Sequence, residues 1–320
     1  MRRRTFLAGL GAAAAPLPLA AQPAKVHFIL WVSTEAQPDP FIAGFREGMR
    51  ERGYVEGQNL AFVLRYAPGD PARVEAMLPE ILTVPADLIV SSGPAIRAMK
   101  AATGKPVLFA ISGDPVELGL VQSLARPGRN FTGSTFLSLD LAQKRVQLVR
   151  ELLPEARTLA VLSNATHPGE QSEHEATKAA ADALAMRLAY VPFRAGAEVE
   201  DALERVVAAK PDAMLVFPDG VTMVHRAKIA EFAKAHRLPT MFGWREYCEA
   251  GGLASYGANQ RAAYVRLAAQ ADRLLRGEKP ADLPIEQPTR FELVLNLRAA
   301  KELGLTIPPT LLARADAVIE

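Results

Sequence analysis

Ser91-Ser92-Gly93-Pro94-Ala95 is the stretch best equipped to hold a charged ligand. It follows Leu88, Ile89 and Val90, a short apolar run of the kind that forms a strand buried on both faces. Ile96, Met99 and Lys100 then recur at helical spacing, and Thr103-Gly104 stops the pattern. Ser92 or Gly93 suits the N-cap, and Pro94 suits the first turn, where its missing N–H costs nothing. A strand, a small-residue turn and a helix N-terminus together present free N–H groups and a partial positive charge to an anion such as a carboxylate. In an open parallel sheet such a turn lies at the carboxyl edge of the strands, where ligands bind. The commoner meaning of any single turn of this kind is plain capping, so the case rests on several similar turns further along.

Covalent chemistry has little to work with. No Gly-x-Gly-x-x-Gly follows the first strand, and no Gly-x-x-x-x-Gly-Lys-[Ser/Thr] occurs. No Gly-x-Ser-x-Gly elbow is present to expose a nucleophile. His27, His167, His174, His225 and His236 lack zinc-protease spacing. His167 and His174 lie near a helix start at a spacing that places them on one face, where solvent exposure is expected. Neither an enzyme, a cofactor nor a bound metal is expected.

The elements that must position these turns alternate strand and helix with short loops. Val26–Val32 is the first strand. Phe41, Phe45 and Met49 mark a helix that Gly53 stops, Leu60–Arg65 alternates like an edge strand, and Pro71–Thr83 reads as one helix. Val107–Ile111 and Phe131-Thr132-Gly133 continue the strands. A second series follows the helix Leu139–Leu153, with strands at Leu159–Leu162, Leu188–Phe193, Ala213–Phe217 and Thr240–Gly243 and helices at 173–186, 199–209 and 224–236. Gly251-Gly252 precedes Leu253–Tyr256, the long helix Arg261–Leu275 ends at Gly277, and Pro280, Pro284 and Pro288 stiffen the chain before Phe291–Leu295. A repeated βα unit of this kind specifies an α/β protein with doubly wound parallel sheets.

The first residues read as an export signal, residues 1–21. Arg2-Arg3-Arg4 is basic, an Ala/Gly/Leu stretch too short for a membrane span follows, and small residues precede Gln22. Arg3-Arg4-Thr5-Phe6-Leu7 resembles the twin-arginine pattern, although basic starts also serve general secretion. No Cys lies near the cleavage point to take a lipid. The chain holds 37 Lys and Arg against 35 Asp and Glu; cleavage removes three arginines and leaves 34 against 35, a net charge of −1. Such a chain has no bulk attraction for nucleic acid or anionic lipid. Cys248 is the only cysteine, so no intrachain disulfide forms. About 300 mature residues suggest two lobes rather than one core.

Several motifs recur together in one family. They are Gly53-Tyr54-Val55-Glu56-Gly57-Gln58-Asn59, Ser91-Ser92-Gly93-Pro94-Ala95, Gly113-Asp114-Pro115-Val116 and Leu124-Ala125-Arg126-Pro127-Gly128-Arg129-Asn130. Later come His225-Arg226, Gly251-Gly252-Leu253-Ala254-Ser255-Tyr256-Gly257, Gly277-Glu278-Lys279-Pro280-Ala281-Asp282-Leu283-Pro284 and Phe291-Glu292-Leu293-Val294-Leu295-Asn296-Leu297. With these the chain resembles the ABC-transporter substrate-binding proteins whose known relatives include binders of aromatic amino acids. The resemblance implies a type I periplasmic binding protein fold: two α/β lobes joined by three crossing strands, near 134–138, 253–256 and 284–290. It implies lobe I from 22–134 plus 254–284 and lobe II from 135–253 plus 285–320. It also implies a monomer in the periplasm that passes a small molecule to ABC permease and ATPase subunits. A periplasmic sensor serving a membrane kinase would have the same cleft; gene neighbours separate the two. A sugar-responsive repressor shares the fold but carries a DNA-binding helix pair, which this chain lacks.

In that fold the ligand lies between facing strand ends. Lobe I then offers Ser33, Thr34, Ser92, Gly93, Pro94, Ala95, Asp114 and Pro115, and lobe II offers Asn164, Thr166, Asp219, Gly220 and Trp244, with Tyr256 at a crossing. An amino acid, or a small carboxylate, needs donors for its acid group, which Ser92 and the Gly93–Ala95 backbone supply. An ammonium needs an acceptor, Asp114 or Asp219. The commoner role of either aspartate is a turn or helix cap. Trp244 can stack on an aromatic group, whereas Trp31, inside a strand, belongs with the core. Asn130 and Asn296 are expected to tie turns together.

Overall fold

The computed structural model describes residues 25–102, 104–136, 139–167 and 169–320. The export signal, Thr103 and part of the first crossing at 134–138 lie outside them. Five parallel strands form the first sheet: β1 (His27–Ser33), β2 (Leu60–Tyr66), β3 (Leu88–Ser92), β4 (Val107–Ile111) and β5 (Phe131–Thr135), in the order β2-β1-β3-β4-β5. The continuous apolar runs of β3 and β4 are buried throughout, whereas the alternating β2 is half-buried at the edge. Helices cover both faces, as a parallel sheet requires.

The second sheet has seven strands: β6 (Thr158–Asn164), β7 (Arg187–Phe193), β8 (Ala213–Val216), β9 (Thr240–Phe242), β10 (Ala254–Ala258), β11 (Phe291–Asn296) and β12 (Ala317–Ile319). Their order is β12-β11-β10-β9-β8-β6-β7, and only β10 and β11 run antiparallel, pairing Ala254 with Leu295 and Ala258 with Phe291. The chain passes between the sheets three times: after β5, after β10, and between Leu283 and β11. The sequence reading assigns 254–284 to the first lobe. The structure hydrogen-bonds β10 into the second sheet, so the return to the first lobe begins only at the helix Gln260–Leu275. That helix packs on Pro40–Glu51, where the rings of Tyr264 and Phe41 stack at 5.0 Å. Ile285, read as second-lobe, is buried in the first-lobe core, and Glu286 bridges to Ser134.

Two helices differ from the sequence reading. Residues 71–83 form two helices, Pro71–Ala76 and Leu78–Thr83. Pro79 lacks an N–H, and its ring crowds the carbonyl four residues back, so the helix restarts with Pro79 in its first turn. Gly93–Ala101 is a tighter 3-10 helix. Three residues per turn put Ile96, Met99 and Ala102 in one row, and all three are buried. Asn130 donates to the carbonyls of Ala102 and Lys105, while Asn296 caps Ala299 and donates to Cys248, so both tie turns together.

Candidate ligand site between the lobes

The carboxyl ends of β1, β3 and β4 face those of β6, β8 and β9, and the lobes meet there. Ser112, just after β4, stands 2.5 Å from Nε2 of His167, which follows β6. Its hydroxyl also donates to the carbonyl of Pro218 at 3.4 Å. A β-carbon on Gly220 would stand 2.8 Å from Thr34 Oγ1 and 3.1 Å from Glu35 Oε1, so closure at this point requires glycine. Phe41 meets Trp244 edge-to-face at 6.0 Å.

These contacts enclose a narrow cavity of about 20 Å³, bordered by Glu35, Ser92, Gly93, Asp219, Gly220 and Gln260 and walled by Phe41, Phe136, Trp244 and Tyr264. A neighbouring space of about 10 Å³ shares Ser112, Phe136 and Trp244 and reaches Arg145 and Glu173. Volumes of this order hold about one water. A solute of amino-acid size therefore needs the lobes to part before it can enter. An open groove of about 720 Å³, bordered by Asp70, Thr166, Arg194, His225 and Lys228, lies between the lobes on the solvent side.

Burial sets the electrostatics of the cavity. The Glu35 carboxyl is pushed well above its usual range by burial, then by the Asp39 and Asp219 carboxylates. Asp219 is raised to about 6 by burial, against the N–H groups of Thr222 and Val221. It caps the helix Gly220–Val224 in a capping box with Thr222. His167 is pushed down to about 3 by burial, with the Arg97 charge adding, so its imidazole is neutral. Arg145 and Glu173 pair at 2.7 Å, both buried. Burial disfavours charge on each, and the pairing, with Arg145 Nε donating to the Tyr256 carbonyl, offsets it.

The structure brings Ser92, Gly93, Asp219, Gly220 and Trp244 to the cavity. Gly93 adopts φ +56°, a left-handed conformation open to glycine. Ser33 stands behind, accepting from Ser92 Oγ at 3.2 Å and from the Glu35 N–H at 3.0 Å. Thr34 and Pro94 border Gly220. Asn164 donates to Asp219 at 3.4 Å and accepts from Thr166, which faces the open groove.

Four expected residues lie elsewhere. Ala95 is buried in the first-lobe core. Asp114 accepts from the N–H groups of Val116 and Glu117, an ordinary turn cap, and Pro115 belongs to the same turn. Tyr256 packs its ring on Phe291, 6.3 Å away within the second lobe. Trp31 is core, its indole N–H donating to Asp39 at 2.9 Å. His167, expected in solvent, is 5% exposed, because the closing lobes cover the turn that carries it. His174 packs against Tyr190, with ring centroids 4.0 Å apart and the planes tilted by 50°.

Sequence reasoning missed Glu35, Ser112, His167, Gln260 and three of the four wall residues, Phe41, Phe136 and Tyr264. Glu35 sits one residue beyond Ser33-Thr34, the turn expected to meet the ligand, and Ser112 one residue beyond the strand Val107–Ile111, so extending each by one residue finds them. Phe41 and Tyr264 lie on apolar helix faces and carry no signal that separates them from core.

Two facing α/β lobes with a polar, aromatic-walled cavity between them define a bilobal solute-binding protein with the type I periplasmic binding protein fold. The chain belongs to the ABC transporter substrate binding protein family, whose sequence model matches residues 25–319. Members of that family bind their substrate rather than transform it. A tyrosine-binding protein of Clostridioides difficile (strain R20291) is 24% identical over 265 residues, covering 82% of this chain and 76% of that one. A conserved domain protein from Vibrio cholerae O1 biovar El Tor superposes with a TM-score of 0.86 at 28% identity, covering 92% of this chain and 100% of that one. The ABC domain in complex with L-Trp from Streptococcus pneumoniae superposes with a TM-score of 0.85 at 27% identity, with coverage of 92% and 100%. No helix among the described residues is long and apolar enough to cross a membrane.

Proposed function

We propose that the protein is the periplasmic solute-binding component of an ABC importer. It captures an amino acid or small carboxylate between its lobes and hands it to a membrane permease. The observation that carries this reading is the interlobe cavity, where polar side chains from both lobes converge against four aromatic rings. Such a surface suits a small polar head group attached to an apolar or aromatic body. The bound tryptophan of the pneumococcal relative and the name of the clostridial one support an aromatic amino acid. The ligand's acid group rests on the Ser92–Gly93 turn, where the hydroxyl and the first free N–H groups of the helix meet the cavity.

A thermal-shift screen of the mature protein against amino acids and small carboxylates tests the reading. A ligand at 100 times its Kd stabilises the fold by about 2.7 kcal/mol. No stabilisation by any compound of either class would defeat it.

A further inference from the structure

We propose that Glu35 and Asp219, one from each lobe, form the seat of a ligand ammonium group. This rests on the solute-binding reading and narrows it: the ligand carries an amine, and a bare carboxylate is not enough.

Glu35 follows β1 and is 3% exposed. It borders the cavity, and among the described residues burial and surrounding charges act on its carboxyl with no hydrogen bond beside them. A buried carboxylate without a partner is costly, so the position calls for a cation. The chain supplies none in contact. Asp39, Asp219 and Glu246 act on Glu35 with like charge, and the opposing charge that acts on it is Arg226, whose guanidinium donates to the Met223 carbonyl. His167, across the same cavity, is neutral. Asp39 is already engaged by the N–H groups of Phe41 and Ile42 and by the Trp31 indole. Asp219 spends Oδ1 on its helix cap and on Asn164, while Oδ2 meets only the Thr222 hydroxyl, leaving lone-pair capacity towards the cavity.

A second group points the same way. Nε2 of Gln260 is buried without an acceptor and borders the same cavity. An unpaired acceptor and an unpaired donor on one small space complement a head group carrying –NH3+ beside a carboxylate. Phe41, Trp244 and Tyr264 wall the same space and offer an apolar surface beside that head group. Because Glu35 and Asp219 belong to opposite lobes, an ammonium between them also draws the lobes together, turning like-charge repulsion into a bridge.

The test pairs each proteinogenic L-amino acid with the same acid lacking its amine, for example L-tryptophan with indole-3-propanoic acid. Melting of the wild-type protein is followed with each compound, and calorimetry is run on the strongest stabiliser. Every stabilising compound should carry the amine, and its amine-free partner should give no shift. Glu35→Gln should weaken the strongest stabiliser at least about tenfold, the scale of a hydrogen bond to a charged group. The ligand-free melting temperature of that variant should hold or rise, since the substitution replaces a carboxyl whose ionisation burial and like charge oppose; a fall would mark Glu35 as structural and overturn the seat. Asp219→Asn, in which asparagine still caps the helix, should weaken binding in the same direction. An amine-free acid that stabilises as strongly as its partner, or unchanged affinity in Glu35→Gln, overturns the seat and leaves solute binding standing. Silence across both sets of compounds defeats both.

Discussion

The hydroxyl of Ser112 and Nε2 of His167 stand 2.5 Å apart, with Ser112 in one lobe and His167 in the other. The bond exists only while the lobes are together. Burial by the closed lobes holds the imidazole at about 3, whereas a solvated imidazole titrates near ~6.5. The open form thus binds a proton that the closed form refuses. The imidazole's contribution to closure is fully present above about pH 6.5 and is lost as pH falls, by about 2 kcal/mol at pH 5. Asp219 and Glu35 work in the opposite sense, because burial raises both carboxyls, Asp219 to about 6, and eases their protonation. Comparing wild type with His167→Gln by small-angle scattering between about pH 5 and 8 isolates the imidazole. The wild type should expand more on acidification than the variant, and Ser112→Ala should be more open than wild type at pH 8. Equal radii of gyration throughout would refute the latch.

Gly220 sets how closely the lobes approach. A methyl group there meets Thr34 Oγ1 at 2.8 Å and Glu35 Oε1 at 3.1 Å, both across the interface. Gly220→Ala should leave each lobe folded, with melting within about 1 kcal/mol of wild type, since the clash arises only on closure. Ligand dissociation should speed up about tenfold or more, because the closed state is the one strained. Stopped-flow release of a ligand from the screen reads this directly, and an unchanged rate would show that closure tolerates the methyl.

Ser92→Ala should weaken binding by about 1.5–3 kcal/mol, the range for a hydrogen bond to a charged group. The helix behind it should survive, because Ser92 makes no side-chain cap bond to it. Ser92→Asp should bind worse still, since it sets a carboxylate against the ligand's own. Calorimetry on both variants checks the order. An aspartate variant that binds as well as wild type would move the acid group elsewhere in the cavity.

Export should end with cleavage after Ala21, so N-terminal sequencing of periplasmic protein should begin at Gln22. Met1 retained on inner-membrane protein would contradict it. Replacing Arg3 and Arg4 by Lys should stop export if the twin-arginine route is used, and immunoblotting of periplasmic fractions reads the result.

The sheets were the most legible feature of the sequence, because their signals are local. Leu88–Val90 and Val107–Ile111 are continuous apolar runs, and Leu60–Arg65 alternates; those patterns place the first two inside the sheet and the third at its edge. Pro79 was also local, yet it lay inside an apolar pattern that reads as one helix without it. The site was legible only at its turns. Ser92 and Asp219 announce themselves by type and position, and so does Asp114, which the fold uses for a turn. What separates them is which loop the opposite lobe covers, a relation between residues far apart in sequence. His167 shows the same limit: its surroundings come from Ser112 and Pro218 in other segments, and nothing near it in the chain foretells burial.

The helix Gln260–Leu275 leaves the second sheet to cover Pro40–Glu51 in the first lobe, and the Tyr54 hydroxyl donates to Asp272 across 218 residues of chain. During synthesis the first lobe emerges early but stays incomplete until the last fifth of the protein follows. Phe41 and the glycine face of Gly44 and Gly48 lack their cover throughout that interval, and the entropy of joining such distant segments slows their docking. The two lobes thus mature almost together, and a nascent chain ending at Thr135 offers an uncovered aromatic face to chaperones rather than a finished domain.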